Sequence, residues 1–212
     1  MKLYGYFRSS AAYRVRIALA LKGLPYEYTA VHLRKGEQST HPYRALNAQE
    51  LVPALADERG TFTQSLAIIE YLDERYPQPP LLPDTSEARA RVRAIALAIA
   101  CDIHPLDNLR VLQYLVRTIG ASEEAKNAWY RHWIDVGLGA LESQLTHDAA
   151  TGTFCHGERP TLADICLVPQ LANARRFGIS LEAYPCLLRI EAACNALPAF
   201  IAALPEKQPD AE

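Results

Sequence analysis

A proline-rich segment divides the sequence into two parts with different patterns. Residues 77–83 read Pro-Gln-Pro-Pro-Leu-Leu-Pro, so four of the seven positions are proline. Proline lacks the backbone N–H that a helix needs and favours extended backbone, so no helix is expected to cross this segment. Short β-like runs alternate with helical patterns before it, whereas almost every pattern after it is helical. The sequence therefore predicts an α/β domain over residues 1–80, a linker over 81–85 and an all-helical domain over 86–212.

The first part of the chain has the pattern β-α-β followed by β-β-α. Ser9 and Ser10 stand where a first helix would begin, and Gly23 stands where it would end. Ser65 has the position of a residue that caps a second helix, which would extend to about residue 76. A parallel βαβ unit followed by a hairpin and a helix is typical of the thioredoxin-like fold. The predicted strands are 2–6, 26–31, 51–55 and 61–63.

The second part of the chain predicts four helices. The first begins at Ser86 and could continue to residue 119 unless Pro105 interrupts it. The second covers residues 123–145. Thr161 and Asp164 resemble a capping box that begins the third, and Pro185 occupies the first turn of the fourth. We expect residues 205–212, beyond these helices, to be loosely held.

Composition excludes several classes of protein and of partner. The chain has 22 Lys and Arg against 24 Asp and Glu, a formal charge of −2, so it has no overall attraction for nucleic acid or an anionic membrane. No apolar run reaches the roughly 18 residues of a membrane span. The five cysteines form no Cys-x-x-Cys pair and no zinc spacing with histidine, so we expect reduced thiols, no bound metal and a cytoplasmic protein. An anionic ligand would then need a local cationic pocket.

Three turns of the first domain suit an anion or an extended peptide. Ser9 and Ser10 lie at a helix start, where unpaired N–H groups and the helix dipole favour negative charge. Val52 precedes a proline, and a cis bond there would leave its backbone groups open to an added strand. Gln64 and Ser65 begin the second helix and could hold a carboxylate. Each turn also has a simpler explanation, because the serines could only cap helices and the proline could be trans.

Polar residues interrupt the apolar pattern of the helical domain at two places. His104 and Asn108 are four residues apart and would share one helix face, whereas Arg110 lies roughly 200° from Asn108 on an ideal helix. The pair could equally be a satisfied polar contact between packed helices. Arg175 and Arg176 stand at the end of a predicted helix, where the dipole favours cations, and this suffices to explain Arg175.

Several blocks of the sequence, in the same order, resemble the zeta-class glutathione transferases. The resemblance covers residues 1–205, and it is closest to the bacterial maleylpyruvate isomerases of that class. It implies the glutathione transferase fold, with an α/β thioredoxin-like N-terminal domain and an all-α C-terminal domain, and it implies a homodimer. The blocks are residues 9–19, 51–53, 64–72, 163–170 and 173–177.

The resemblance also implies which residues bind glutathione, the cofactor of that family. Ser9 would face the sulfur with help from Ser10. Val52 would pair with the cysteinyl backbone, and Gln64 with Ser65 would hold the γ-glutamyl end. Gln38 is a further implied contact in the first domain. His104, Asn108 and Arg110 would approach glutathione from the helical domain or from the partner subunit.

The activity implied by the resemblance is the cis–trans isomerisation of a maleyl keto acid. The glutathione thiolate would add to the alkene, the new single bond would turn, and elimination would give the trans product. Ser9 and the helix start would lower the pKa of the thiol. Ala11 stands where many relatives carry cysteine, which argues against mixed-disulfide chemistry. Because the small dicarboxylate substrate is a dianion, we expect arginines to hold it: Arg8 and Arg176 first, then Arg110.

Three other functions stay open on the sequence alone. The substrate could be maleylacetoacetate, which differs from maleylpyruvate at one end. Glutathione could be consumed in conjugation or dehalogenation and not regenerated. The chain could also be a non-enzymatic binding module, like proteins of this fold that no longer bind glutathione. The elements at Ser9, Val52 and Gln64 are all present, and this speaks against such a loss of glutathione binding.

Overall fold

The computed structural model describes all 212 residues, which form two compact units. The first unit contains residues 1–81 together with 195–212, and the second contains residues 82–194. The boundary at residues 81–82 falls inside the proline-rich segment. The compact units differ from the predicted division at the end of the chain, because residues 195–212 belong to the α/β unit and not to a helical domain of 86–212.

A four-stranded mixed sheet forms the centre of the first unit. Its strands are β1 (Lys2–Gly5), β2 (Glu27–Ala30), β3 (Ala54–Asp57) and β4 (Gly60–Thr63). Their order is β2-β1-β3-β4, with β1 and β2 parallel and β3 antiparallel to both of its neighbours. This is the thioredoxin-like order that the pattern predicts. β3 begins later than expected, because Val52 and Pro53 precede the ladder and do not join it.

Three helices of the first unit follow these strands: α1 (Ser10–Leu21), α2 (His41–Leu46) and α3 (Ser65–Arg75). The Ser9 hydroxyl caps α1 by accepting the N–H of Ala12 at 3.2 Å. Gly23 follows the helix with a φ of +63°, which glycine adopts without strain. The sequence of α1 is apolar over a wide arc, and the helix is accordingly buried over most of its length, including Arg14 and Arg16. Apolar side chains of the strands and of both long helices are completely buried here: Leu3, Ile17, Leu19, Leu55, Ile68 and Leu72.

The second unit is helical throughout, with two short helices where one long helix was expected. The unit contains α4 (Ser86–Leu97), α5 (Leu109–Arg117), α6 (Glu123–His147), α7 (Leu162–Arg176) and α8 (Pro185–Asn195). The helix that begins at Ser86 therefore does not continue to residue 119, and the interruption contains Pro105, as the sequence had allowed. After α4 the chain makes a π-helical turn over Ala98–Ile103, then leaves the helix until Asn108 caps α5.

The π-helical turn packs closely against α6. A Cβ on Gly137 of α6 would lie 2.3 Å from the side chain of Ile103, so any larger residue there would require Ile103 to shift. Pro105 then has no N–H to continue the hydrogen bonding. π-turns within helices are frequent at functional sites, and this one directly precedes the His104 and Asn108 pair.

The capping box at the start of α7 is confirmed, and it ties α7 to the preceding loop. Asp164 Oδ2 accepts the N–H of Thr161 at 2.7 Å, while Thr161 accepts in return from the first turn. Asp164 Oδ1 accepts the N–H of Cys155 at 2.7 Å. The carboxyl group is fully buried and serves two backbone donors that would otherwise have no partner.

The end of the chain is held against the first unit, so the expectation that residues 205–212 are loose is wrong. After a last short helix, α9 (Pro198–Ala202), the chain turns back. Asp210 accepts the N–H of Phe7 at 3.0 Å, and Glu212 pairs with His32 at 2.8 Å. These contacts join residues about 200 positions apart, and the sequence pattern carries no signal for them.

Several other properties follow from the structure as a whole. No helix is long and apolar enough to cross a membrane. No group of three or more His, Cys, Asp or Glu side chains is placed to hold a metal ion. None of the five cysteines forms a disulfide, and Cys155, Cys166 and Cys194 are buried.

We predict that Asp164→Ala lowers the free energy of unfolding by about 2–4 kcal/mol, because it leaves two buried N–H groups unpaired. Urea denaturation followed by circular dichroism measures this loss. Glu182→Ala, at an exposed acidic position of the same unit, should stay within about 0.5 kcal/mol of the parent. Equal stabilities for the two variants would contradict the role given to Asp164.

Candidate functional site

The strand register brings the three turns singled out in the sequence to one end of the sheet. Tyr4, near the end of β1, pairs with Ala54 at the start of β3. Ala54 in turn pairs with Thr63 at the end of β4. The segments 6–9, 52–53 and 64–65 each continue from one of these three residues, so they leave the sheet at the same end.

Ser9 lies at the junction between a turn and the start of α1. Its N–H donates to the carbonyl of Tyr6 at 2.9 Å and closes the turn of residues 6–9. Its hydroxyl oxygen accepts from Ala12, which leaves the hydroxyl proton available to a ligand. Ser10, buried, is the first residue of the helix. A partly exposed donor at a helix N-terminus is suited to an anion such as a thiolate.

Val52 has the open backbone groups that an added strand requires. The Val52–Pro53 peptide bond is cis, the possibility that the sequence left open. Neither the N–H nor the carbonyl of Val52 makes a backbone–backbone hydrogen bond. The preceding carbonyl, of Leu51, is held by the Tyr43 hydroxyl at 2.6 Å and by the Asn47 amide at 2.8 Å. The segment is thus fixed on one side and open on the other.

The start of α3 differs in one respect from the prediction. The residue that caps the helix is Gln64, in a left-handed conformation with a φ of +68°, and Ser65 is the first helical residue. No side chain accepts from the first N–H groups of this helix. The Ser65 hydroxyl instead accepts from Arg14 at 3.3 Å, and the Gln64 amide donates to Gln49 at 2.8 Å. The unpaired N–H groups leave this helix start able to bind a carboxylate.

Two further predicted residues lie in the same unit. Arg8 is half-buried, and its guanidinium carbon lies 4.9 Å from the centre of the Phe7 ring. Gln38 lies in a short 3-10 turn, Glu37–Ser39, and its side-chain oxygen is buried without a hydrogen-bond partner. Such an orphaned acceptor suits a ligand that brings an N–H group.

Arg14 and Gln49 are site residues that sequence reasoning missed. Arg14 is 1% exposed and reaches from α1 to the start of α3, while Gln49 orients the Gln64 amide. An arginine inside an apolar helical pattern was a usable signal for Arg14, since buried charge needs fixed partners. Gln49 lies in a loop and gives no comparable signal.

In the second unit, the polar segment before α5 is a loop and not a helix face. The Asn108 amide nitrogen lies 3.4 Å from Nε2 of His104, so the two side chains do meet. The Asn108 side chain also accepts the N–H of Arg110 at 3.2 Å and thereby caps α5. The ideal-helix angle between Asn108 and Arg110 does not apply here, because Asn108 has extended backbone. Arg110 itself is exposed.

Arg176, at the end of α7, is held by aromatic side chains. It hydrogen-bonds to the Tyr130 hydroxyl, and its guanidinium lies 5.4 Å from the centre of the Phe177 ring. The Tyr130 and Phe177 rings stack at 3.7 Å. The neighbouring Arg175 makes a bidentate ion pair with Glu191. The two adjacent arginines thus contact different neighbours.

Asp107 is a buried acid that sequence reasoning did not single out. Both of its carboxyl oxygens are buried without a hydrogen-bond partner, and burial raises the pKa of the group to about 7. It acts electrostatically on Tyr130, whose pKa is raised first by burial and then by Asp107. Trp129 donates to the carbonyl of Leu106 at 2.8 Å and fixes the same segment to α6.

Comparison with known proteins identifies the family. Residues 3–80 match the model of the glutathione S-transferase N-terminal domain, and residues 127–193 match that of the C-terminal domain. The chain belongs to the glutathione S-transferase family. The relatives described next place it in the zeta class of that family.

Three relatives of this glutathione S-transferase illustrate the likeness. A probable maleylacetoacetate isomerase from Vibrio cholerae is 56% identical over 211 residues, which cover 99% of this chain and 97% of that protein. The holo structure of a maleyl pyruvate isomerase, described as a bacterial zeta-class glutathione S-transferase, has a TM-score of 0.98 and 50% identity over all of both chains. A maleylacetoacetate isomerase from Anaeromyxobacter dehalogenans, solved with dicarboxyethyl glutathione and citrate bound, has a TM-score of 0.88 and 47% identity and covers 100% of this chain and 97% of its own.

These comparisons confirm four predictions from the sequence. The zeta-class family, the glutathione transferase fold, glutathione as the cofactor and an enzyme of the isomerase type are all borne out. The roles of the individual site residues stay predictions, as does the exact substrate.

We predict that Asp107→Asn raises the free energy of unfolding at pH 8 by about 2–4 kcal/mol and leaves it unchanged at pH 4. The folded-state pKa of about 7 lies above the ordinary value of 3.8, so the folded protein loses stability as pH rises between these values. Urea denaturation at both pH values measures the effect. Asp102→Asn, at an exposed position nearby, is the control, and an equal gain in both variants would contradict the buried charge.

Proposed function

We propose that this protein is a glutathione-dependent cis–trans isomerase that converts maleylpyruvate to fumarylpyruvate. The observation that carries the proposal is the placement of Ser9, Val52 and Gln64 at one end of the sheet, beside the starts of α1 and α3, where the helix dipoles favour negative charge. The names of the relatives support the activity, and the dicarboxyethyl glutathione bound to one of them is a thioether of the kind that the mechanism requires.

The proposed reaction exchanges a double bond for a single bond and then restores it. The glutathione thiolate attacks an alkene carbon and forms a carbon–sulfur bond, while the alkene electron pair moves to the conjugated keto oxygen and gives an enolate. The remaining carbon–carbon single bond turns. The enolate electrons then return, the carbon–sulfur bond breaks, and the thiolate leaves with the trans alkene formed. Glutathione is regenerated in each turnover.

We assign activation of the thiol to Ser9. A free thiol has a pKa of about 8.5 and is mostly protonated at neutral pH. The Ser9 hydroxyl, with its proton available, and the N–H groups at the start of α1 would stabilise the thiolate and lower that pKa. Val52 would pair with the cysteinyl backbone. The remaining glutathione contacts are assigned by the resemblance: Ser10, Gln38, Gln64, Ser65, His104, Asn108 and Arg110.

We assign recognition of the substrate carboxylates to arginines. The substrate is a dianion and the intermediate carries enolate charge, so preorganised cations lower the barrier. Arg8 adjoins Ser9 in the sequence, and Arg176 is oriented by Tyr130 and Phe177. Arg110 is the third candidate. A guanidinium suits this role because it can bind a carboxylate through two parallel hydrogen bonds.

We also propose that the protein works in the cytoplasm as a homodimer. The family resemblance supports the dimer, in which the helical unit of either subunit could supply His104 and Asn108. Five cysteines without a disulfide suit a reducing compartment. Sedimentation of the purified protein at several concentrations tests the oligomeric state.

The proposed reaction can be followed directly by NMR. Purified protein is mixed with maleylpyruvate, with and without a catalytic amount of glutathione, while the alkene protons are recorded and free thiols are counted. We expect the trans product only with glutathione, at a constant thiol count. Conversion without glutathione would contradict the mechanism, and loss of thiol in step with product would favour conjugation or dehalogenation.

The second candidate substrate is maleylacetoacetate, which the name of the 56% identical relative favours. Values of kcat/KM for the two substrates under the same conditions decide between them. A higher value for maleylacetoacetate would change the substrate of the proposal and leave its chemistry intact.

We predict that Arg176→Ala lowers kcat/KM for the maleyl substrate by about 100-fold, because one carboxylate loses its charged partner. Glutathione binding, measured by calorimetry, should change less than about threefold. Arg117→Ala removes an exposed arginine from the end of α5 and should leave the kinetics unchanged. If Arg176→Ala matched Arg117→Ala in kcat/KM, the assignment of Arg176 would be wrong.

A further inference from the structure

We propose that the end of the chain, residues 203–212, holds the turn that carries Arg8 and Ser9 in its working position, with Asp210 as the positioning residue. This rests on the proposed function, in which Arg8 and Ser9 act on the substrate and on the glutathione thiol. Asp210 itself would touch neither of them. It would act through the backbone of Phe7.

The turn of residues 6–9 is held from both sides at its middle. The N–H of Phe7 donates to Asp210 Oδ2 at 3.0 Å, and the carbonyl of Phe7 accepts from Arg16 at 3.2 Å. The central peptide groups of a turn usually face solvent. Here both polar groups of Phe7 have partners fixed elsewhere in the unit, so the turn has little freedom to move.

Arg16 joins the turn to the start of the tail. Its guanidinium is completely buried, and it donates through Nε to the carbonyl of Ala203 at 3.1 Å as well as to Phe7. Burial lowers the pKa of Arg16, so the cation depends on the carbonyls that accept from it. The tail supplies one of these carbonyls, that of Ala203, to the cation that holds the turn.

Asp210 is itself fixed by the segment around it. The Tyr28 hydroxyl donates to the same Oδ2 atom at 3.3 Å. Upstream, the Gln208 amide donates to the carbonyls of Ala202 and Leu204, which fixes the backbone between α9 and Asp210. The hydrogen bonds of this segment thus fix the position of the Asp210 carboxylate that accepts from Phe7.

The last residue adds a weaker contact on the other side of the turn. Glu212 pairs with Nε2 of His32 at 2.8 Å, and Nδ1 of His32 accepts the N–H of Lys35, so the Nε2 atom carries the proton. The His32 ring lies 5.0 Å from that of Tyr6. Because Glu212 is half exposed, we expect this hydrogen bond to contribute little, and Asp210 to be the determining contact.

Asp210→Ala is the test, with the pKa of glutathione bound to the enzyme as its readout. The ultraviolet absorbance of the thiolate, titrated with pH in the enzyme–glutathione complex, gives this pKa. We expect it to rise by about one unit toward the free value, and kcat to fall about tenfold, because a small displacement of Ser9 weakens thiolate stabilisation. KM for glutathione should change less than about threefold, since Val52 and the start of α3 are untouched.

Three companion variants separate positioning from a general loss of structure. Asp210→Asn keeps an acceptor for Phe7 and should restore most of kcat. Tyr28→Phe removes one of the two donors to Asp210 and should give an intermediate thiol pKa. Glu206→Ala removes an exposed acid of the same tail and should match the parent. Circular dichroism and thermal unfolding check that each variant is folded.

The outcomes distinguish this inference from the proposed function. If Ser9→Ala raises the pKa of the bound thiol and folded Asp210→Ala does not, the tail has no positioning role and the inference is wrong. If Ser9→Ala itself leaves that pKa unchanged, the assignment of thiol activation to Ser9 fails first. A parallel rise in both variants, with rescue by Asp210→Asn, supports both.

Discussion

The antiparallel pairing of β3 with both of its neighbours is the constraint on which the site depends. It places the end of β1, the start of β3 and the end of β4 side by side, through the contacts of Tyr4 with Ala54 and of Ala54 with Thr63. One helix starts after β1, at the end of the turn of residues 6–9, and another starts after β4. Two helix N-termini and one open backbone segment therefore meet at one end of the sheet, and each is suited to a different part of a small anionic peptide.

Buried polar side chains hold these turns in place at some cost in desolvation. Arg14 links α1 to Ser65 at the start of α3, and Arg16 links α1 to Phe7 and Ala203. Burying a guanidinium is unfavourable unless carbonyls, hydroxyls or carboxylates accept its hydrogen bonds. Removing one of these partners then lowers the stability of the folded protein. Such groups add little to stability but restrict the turns to one arrangement, which is what preorganised binding requires. The unpaired carboxylate of Asp107 has no such compensation and lowers stability at neutral pH.

The sequence predicted the parts of this structure that depend on local signals. Ser9, Gly23 and the capping box of Thr161 marked helix ends correctly, because caps act over three or four residues. The break before α5 contains Pro105, which had marked a possible interruption in the sequence, whereas the ordered tail escaped prediction because Asp210 meets Phe7 across the whole chain. The same division holds for the candidate site. Its turns were visible in the sequence, whereas the contact of Gln49 with Gln64 and the burial of Asp107 arise only in three dimensions.

We propose that one end of the sheet binds glutathione through Val52 and the two helix starts. Backbone amide shifts of the labelled protein, recorded during titration with glutathione, report on this binding residue by residue. We expect large, saturable shifts for the N–H groups of Val52, Ser10 and Ser65 at one common affinity, and small shifts along β2 at the far edge of the sheet. Binding that moves other amides and leaves these three unchanged would contradict it.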